Sequence, residues 1–150
     1  MLKQFADLNL EADGRYASNY ELQFLKDYFN SKELRLSAYR KIRDSEMEII
    51  EQVRLGKQQR NPEFKDYYAT CKRDLIDILR YNAAALLFDD LERLRNNALV
   101  WFQTIARAYT FEEDNNETYV VLLEVITQLL TPEEAKLAIP VFELNTAVLV

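Results

Sequence analysis

The chain carries one cysteine, Cys71, and no histidine. Arg73 stands two residues after it and Asp74 follows at once, in the run Ala69-Thr70-Cys71-Lys72-Arg73-Asp74-Leu75. A thiol, a guanidinium and a carboxylate therefore fall within one helical turn. A cysteine thiolate is a nucleophile, an arginine is a fixed cation, and an ionised carboxylate accepts strong charge-assisted hydrogen bonds. On a helix Cys71 and Asp74 lie at i and i+3 and share a face. The plain alternative is also stated by the residues: a lone helical cysteine is more often inert and buried. Likewise, an adjacent Arg and Asp on a solvated face would look the same.

The missing residues narrow the chemistry. Without histidine there is no Ser-His-Asp or Cys-His catalysis and no histidine-ligated haem. One cysteine leaves no internal disulfide and no Cys/His zinc set. The 150 residues are 49% hydrophobic and 29% charged, with 2 Gly and 3 Pro. That length suits one domain, burying roughly 68–70% of the unfolded surface, and so few Gly and Pro favour long helices. The net charge is −6 and the pI about 4.8. Basic residues alternate with acids throughout, so neither nucleic acid nor an anionic membrane surface is expected as a partner. No apolar run reaches the ~18–20 residues of a membrane span. The stretch Met1 to Asp7 lacks a signal-peptide core, which points to a cytosolic or plastid-like interior.

Helical signals must position these groups. Ser18-Asn19-Tyr20-Glu21 reads as a capping box, with Leu22, Leu25 and Phe29 following at helical spacing. Ser31 is expected to cap a long helix striped by Leu34, Ala38, Ile42, Met47, Ile50 and Val53, ending near Gly56. The polar stretch Lys57 to Pro62 reads as a loop. A helix from about Glu63 would carry Phe64, Tyr67, Tyr68, Cys71, Leu75, Ile78, Leu79 and Ala83. A further amphipathic run spans 91–109, with Leu91, Leu94, Ala98, Trp101, Phe102 and Ile105. Thr110-Phe111-Glu112-Glu113 is another capping candidate. Tyr119 to Leu130 reads as a buried helix. Thr131-Pro132-Glu133-Glu134 is the clearest helix start in the chain, and Pro140 is expected to kink the last helix. The residues alone give a soluble helical globule of seven or eight helices.

Three segments, in order along the chain, resemble the phycobiliprotein family of allophycocyanin and phycocyanin subunits. They are Ala12-Asp13-Gly14-Arg15-Tyr16-Ala17-Ser18 with Glu21-Leu22, the C-x-R-D run at Cys71 continuing to Ile78-Leu79-Arg80-Tyr81, and Leu130-Thr131-Pro132-Glu133-Glu134-Ala135. The resemblance implies an all-α, globin-like helical bundle with two extra N-terminal helices. Residues 1–30 would be a helical pair used for dimerisation and 31–150 the globin-like core. It implies a bilin, phycocyanobilin or a related linear tetrapyrrole, thioether-linked to Cys71 or held without a covalent bond. Arg73 would pair with a propionate, and Asp74 would accept hydrogen bonds from the central pyrrole N–H groups. Tyr67, Tyr68, Ile78, Tyr81, Trp101 and Phe102 are candidates to line the pocket, although aromatics of this kind more often form plain core. Asp13 and Arg80 match positions that form an ion pair across a subunit interface, to which Phe5 on the first helix would add. The implied partners are a second copy or another phycobiliprotein-like subunit, with bilin-synthesis enzymes or phycobilisome components beyond them. The implied place is the cyanobacterial cytosol, beside the thylakoid through phycobilisomes.

The departures from the family pattern shape the functional expectation. The stretch from Gly56 to Cys71 is shorter than in antenna subunits. The A-G-D turn after the chromophore helix is replaced by Phe88-Asp89-Asp90, and a tyrosine before it by Ala84. A Gly-Leu-x-Glu-x-Tyr run is replaced by Ala98-Leu99-Val100-Trp101-Phe102-Gln103. These changes alter the roof and walls of the pocket. The expectation is a non-enzymatic accessory bilin binder acting in bilin synthesis, delivery or phycobilisome upkeep. A light-harvesting subunit with a covalent bilin on Cys71, a pigment-free structural or regulatory globin, and a bilin lyase or reductase are the alternatives.

Overall fold

The computed structural model describes the backbone of residues 2–11, 14–61, 68–109 and 112–149, and side chains within 7–11, 14–61, 72–105 and 116–149. All of the regular structure among the described residues is helical. In order these are α1 (Leu2–Glu11), α2 (Asn19–Asn30), α3 (Lys32–Asp44), α4 (Glu46–Arg60), α5 (Tyr68–Phe88) and α6 (Leu91–Leu94). A π-helical turn (Arg95–Leu99) follows, then α7 (Val100–Tyr109), α8 (Glu112–Leu129) and α9 (Pro132–Leu149). The fold is all-α and globin-like, with α1 and α2 preceding the bundle. Among the described residues no helix is long and apolar enough to cross a membrane.

The helix starts expected at Ser18 and Thr131 both form as capping boxes. At α2, the Glu21 N–H donates to Ser18 Oγ at 3.3 Å and the Ser18 N–H donates to Glu21 Oε2 at 2.6 Å. At α9, the Glu134 N–H donates to Thr131 Oγ1 at 3.3 Å and the Thr131 N–H donates to Glu134 Oε2 at 2.8 Å. Gly14, at φ 74, supplies the left-handed turn ahead of α2, a conformation a Cβ would strain. The α9 helix runs through Pro140. That residue is exposed.

The long helix expected from Ser31 is two helices, broken at Ser45 (φ −102, ψ 13). Ser31 caps neither with its side chain: its hydroxyl donates back to the carbonyls of Asp27 and Tyr28 and accepts from Arg35. The buried stripe also differs from the expected one. Leu34 and Met47 are exposed, while Arg35, Ala38, Ile42, Ile49, Val53 and Lys57 are buried. The steps from 35 through 38, 42, 49 and 53 to 57 keep helical spacing once the two charged ends are admitted. Arg35 and Lys57 can be there because their polar ends are satisfied. Lys57 Nζ donates to Thr118 Oγ1 at 2.7 Å.

Gly56 does not end α4, which continues to Arg60. A Cβ at Gly56 would lie 2.6 Å from Val121 Cγ1. The glycine is therefore a notch that lets α8 approach α4. The core around Ile42, Ile50, Leu79, Leu122, Ala138 and Phe142 is gathered from α3, α4, α5, α8 and α9. Inside it, Asn82 and Asn145 exchange side-chain hydrogen bonds at 3.1 and 3.2 Å, and Asn82 also donates to the Ile78 carbonyl at 2.8 Å. Both asparagines are 0% exposed, so this pair fixes α5 against α9. Two expectations, the α5 start at Glu63 and the Thr110 capping box, lie outside the described residues.

Candidate functional site

Cys71, Arg73 and Asp74 all sit on α5. The backbone of Cys71 is helical, while its side chain lies outside the described residues, as do those of Phe5, Asp13, Tyr67 and Tyr68. Arg73 and Asp74 are exposed. Even so, crowding by neighbouring atoms pushes the Asp74 carboxyl above the usual aspartate range. The charge of Asp77 pushes it the same way, and Arg73 opposes them.

The far end of α5 is held in place by Arg35. Its guanidinium donates to the carbonyl of Leu87 at 3.2 Å and that of Tyr28 at 3.0 Å, and lies 4.0 Å from the centre of the Tyr28 ring. Beyond Phe88 the chain turns at Asp89, whose φ of 51 is left-handed; a short polar side chain is tolerated there. The Asp90 N–H then donates to the Ala85 carbonyl at 2.9 Å. The Asp90 carboxylate accepts from the Arg93 backbone N–H at 3.2 Å, which starts α6.

This turn folds α6 and the π turn back along α5 and leaves a groove of about 590 Å³ between them. Its α5 wall carries Asp77, Arg80 and Tyr81. Ala84, Ala85 and Leu94 supply apolar side chains, and Phe88 and Asp90 also line it. Arg93 and Asn97 stand on the opposite wall. The volume lies within the ~300–1,000 Å³ of small-molecule sites. Asp74 is one turn before Asp77 and two turns before Tyr81, so the groove continues the face that Asp74 begins. A smaller cavity of about 370 Å³ lies beside α3 and α4, bounded by Tyr39, Arg43 and Glu46, and Arg80 and Ala84 border both.

Arg80 makes a two-pronged contact with Glu46, at 2.7 and 2.8 Å. That arginine lowers the Glu46 carboxyl against the opposing effect of burial. Within this chain, then, the residue matched to an intersubunit pair is held by an internal carboxylate. Of the other candidates, Tyr81 lines the groove. Ile78 does not: it is buried in the core, one position and so about 100° around the helix from Asp77. Phe102 packs against the core and meets the exposed Trp101 edge to face at 5.1 Å; neither lines the two cavities described. Sequence reading did not single out Asp77, Arg93 and Asn97, which line the groove. The spacing Asp74-x-x-Asp77 was a visible signal for the first, whereas the other two join the site only through the turn at Asp89. The run expected as one helix over 91–109 contains the π turn, a local form often found at functional sites.

A family model described as "Phycobilisome protein" matches residues 8–149. No curated protein matches the chain.

Proposed function

We propose, from the premise that this chain belongs to the phycobilisome protein family, that it is an accessory bilin carrier acting in bilin synthesis, delivery or phycobilisome upkeep. Members of that family are pigment-binding subunits and not enzymes. An open-chain tetrapyrrole is a long, flat, apolar ligand edged by N–H donors and two carboxylates. It needs an apolar slot, an acceptor and a cation. The groove along α5 offers small apolar side chains with carboxylates and guanidiniums on its walls, so the residues present fit the group. In this reading Cys71 anchors the pigment, Asp74 accepts its pyrrole N–H groups and Arg73 pairs with a propionate.

The observation that carries the accessory reading is the openness of that groove. Ala84, at the position of a family tyrosine, and Ala85 put only methyl groups into it. A pigment held there keeps torsional freedom, which dissipates excitation and suits transfer of the molecule better than transfer of energy. Association through the N-terminal helices belongs to the same proposal. Leu10, Tyr16, Tyr20 and Phe29 are exposed there, and Asp13 of one subunit would compete with Glu46 for Arg80 of the next.

Co-expression with a phycocyanobilin-producing pathway tests the carrier reading. The expected product is coloured and weakly fluorescent. Colour that survives acid–urea denaturation, and that Cys71→Ser abolishes, assigns the thioether. Bright red fluorescence with one covalent bilin per chain would make the protein an antenna subunit instead, and colourless protein would make it a pigment-free relative. Asp13→Arg is expected to lower the solution mass from dimer to monomer; an unchanged mass removes that interface.

A further inference from the structure

Resting on the association proposed above, we infer that the Glu46–Arg80 pair is an internal latch on it: Glu46 occupies the guanidinium that a second copy needs, and a dimer forms by exchange, with Arg43 receiving the displaced Glu46 carboxylate. Arg80, on α5, donates from Nε and Nη2 to the two oxygens of Glu46, the first residue of α4, at 2.7 and 2.8 Å. One edge of the guanidinium fork is thus filled from within the chain. The Arg80 side chain is nevertheless 63% exposed, against 21% for Glu46, so a carboxylate of the second copy can reach the guanidinium from solvent. The hydrogen bond and charge of Glu46 raise the Arg80 guanidinium above its ordinary value, and the charge of Asp77 acts in the same direction. With two acids already around one cation, a third carboxylate is repelled until Glu46 leaves.

The displaced carboxylate has a receiver. Glu46, Arg80 and Arg43 border one cavity, of about 370 Å³. Its floor, formed by Ile42, Leu79 and Ala83, is apolar and buried, so the counter-charge for Glu46 there is Arg43. That residue stands three positions before Glu46, across the break at Ser45. Its Nε donates to the adjacent Asp44 at 2.7 Å, with the two side chains 56% and 62% exposed. A pair so open to water contributes little, which leaves Arg43 free to turn to Glu46. The latch is also a mostly exposed pair, so its effect is modest, a factor of about three in affinity at each site. A dimer with a two-fold axis makes the exchange twice, and the two factors multiply to about ten.

The test measures the dimer dissociation constant of the full chain by sedimentation velocity over a dilution series. Glu46→Gln is expected to tighten association about tenfold. Glu48→Gln is the control, because it removes a second acid from the first turn of α4 without touching Arg80; it should leave the constant unchanged. In a chain that already carries Arg80→Gln, adding Glu46→Gln should change nothing. Arg43→Gln should weaken association about threefold or more, and an unchanged constant there overturns the transfer to Arg43. An unaltered urea midpoint checks that each variant keeps its fold. If Glu46→Gln leaves association unchanged or weakens it while Asp13→Arg still yields monomers, the latch is overturned and the association stands. If the natural chain and Glu46→Gln are both monomeric at the highest concentration reached, both fall.

Discussion

Two helix starts in this chain share one sequence signature and serve different ends. At Ser18–Glu21 the capping glutamate is clamped by Arg15, six residues away, at 2.8 and 3.0 Å. That arginine, with the Ser18 backbone and hydroxyl, brings the Glu21 carboxyl down to about 2. At Thr131–Glu134 the glutamate also reaches Lys41 Nζ and Ser37 Oγ, each at 2.7 Å, on α3. Burial opposes ionisation of Glu134; Lys41, the Thr131 N–H and Ser37 overcome it and hold its carboxyl at about 2. The first box closes a loop within its own segment. The second joins α9 to α3 across 93 residues, and its side chain is 3% exposed. The same motif is thus a local punctuation mark in one region and a tertiary bond in the other, and what decides is where the glutamate's remaining lone pairs find donors.

If the body around α3, α5, α8 and α9 is one cooperative unit, the largest effects belong to its buried polar links. Asn145→Leu strands the Asn82 amide in the core and is expected to cost about 3 kcal/mol in urea unfolding. Glu134→Gln is expected to cost about 2 kcal/mol, less than a fully buried pair because Lys41 can turn to water. This second loss should depend on pH in a definite direction. A carboxyl lowered from 4.5 to about 2 on folding stabilises the fold above pH 4.5, and that contribution disappears as the pH falls through about 2. The gap between the natural chain and Glu134→Gln in urea midpoint should therefore be widest near pH 5 and shrink by pH 3. A gap that stays constant would mean the carboxylate charge contributes nothing to the bond with α3. Gly56→Ala comes next, at about 1 kcal/mol, since overpacking against Val121 exceeds the gain in helix propensity. Val121→Ala in the same chain should recover it, and no recovery would show that the notch is not set by that methyl group.

The same contrast explains what the sequence disclosed. Both boxes were legible because capping depends on residues three apart, and the apolar positions Ala38, Ile42, Ile50 and Val53 were legible because burial follows helical period. Arg35 and Lys57 were not, since their charges mark them as surface until the Tyr28 and Leu87 carbonyls, or the Thr118 hydroxyl, are brought to them by tertiary packing. Gly56 read as a stop because a glycine in a helix is locally costly, and only the position of Val121 reveals why it is tolerated. The site divides likewise. Cys71, Arg73 and Asp74 are candidates that form a local pattern on one helix, visible from spacing alone. Asp77 was one turn further on the same face, but a groove needs two walls, and the second wall exists only because Asp89 accepts a left-handed φ and folds α6 back. Ile78 lies on the core side rather than in the groove for the related reason that one helical position separates the two faces.

The smallest expected effect gives the sharpest test of the comparison. Glu21→Gln removes the charge that Arg15 and the Ser18 N–H share, while all of its partners lie within residues 15–21. If α2 frays independently of the body, the urea midpoint should stay within experimental error of the natural chain while amide exchange across residues 19–24 accelerates. Local opening and global unfolding are then separate events with separate free energies. Arg35 is a route by which the two could be joined, because it grips the Tyr28 carbonyl on α2 and the Leu87 carbonyl on α5 together. A Glu21→Gln chain whose midpoint falls as far as that of Glu134→Gln would mean that this grip carries α2 into the cooperative core. The N-terminal pair would then be a structural part of the groove's far end rather than an arm beside it.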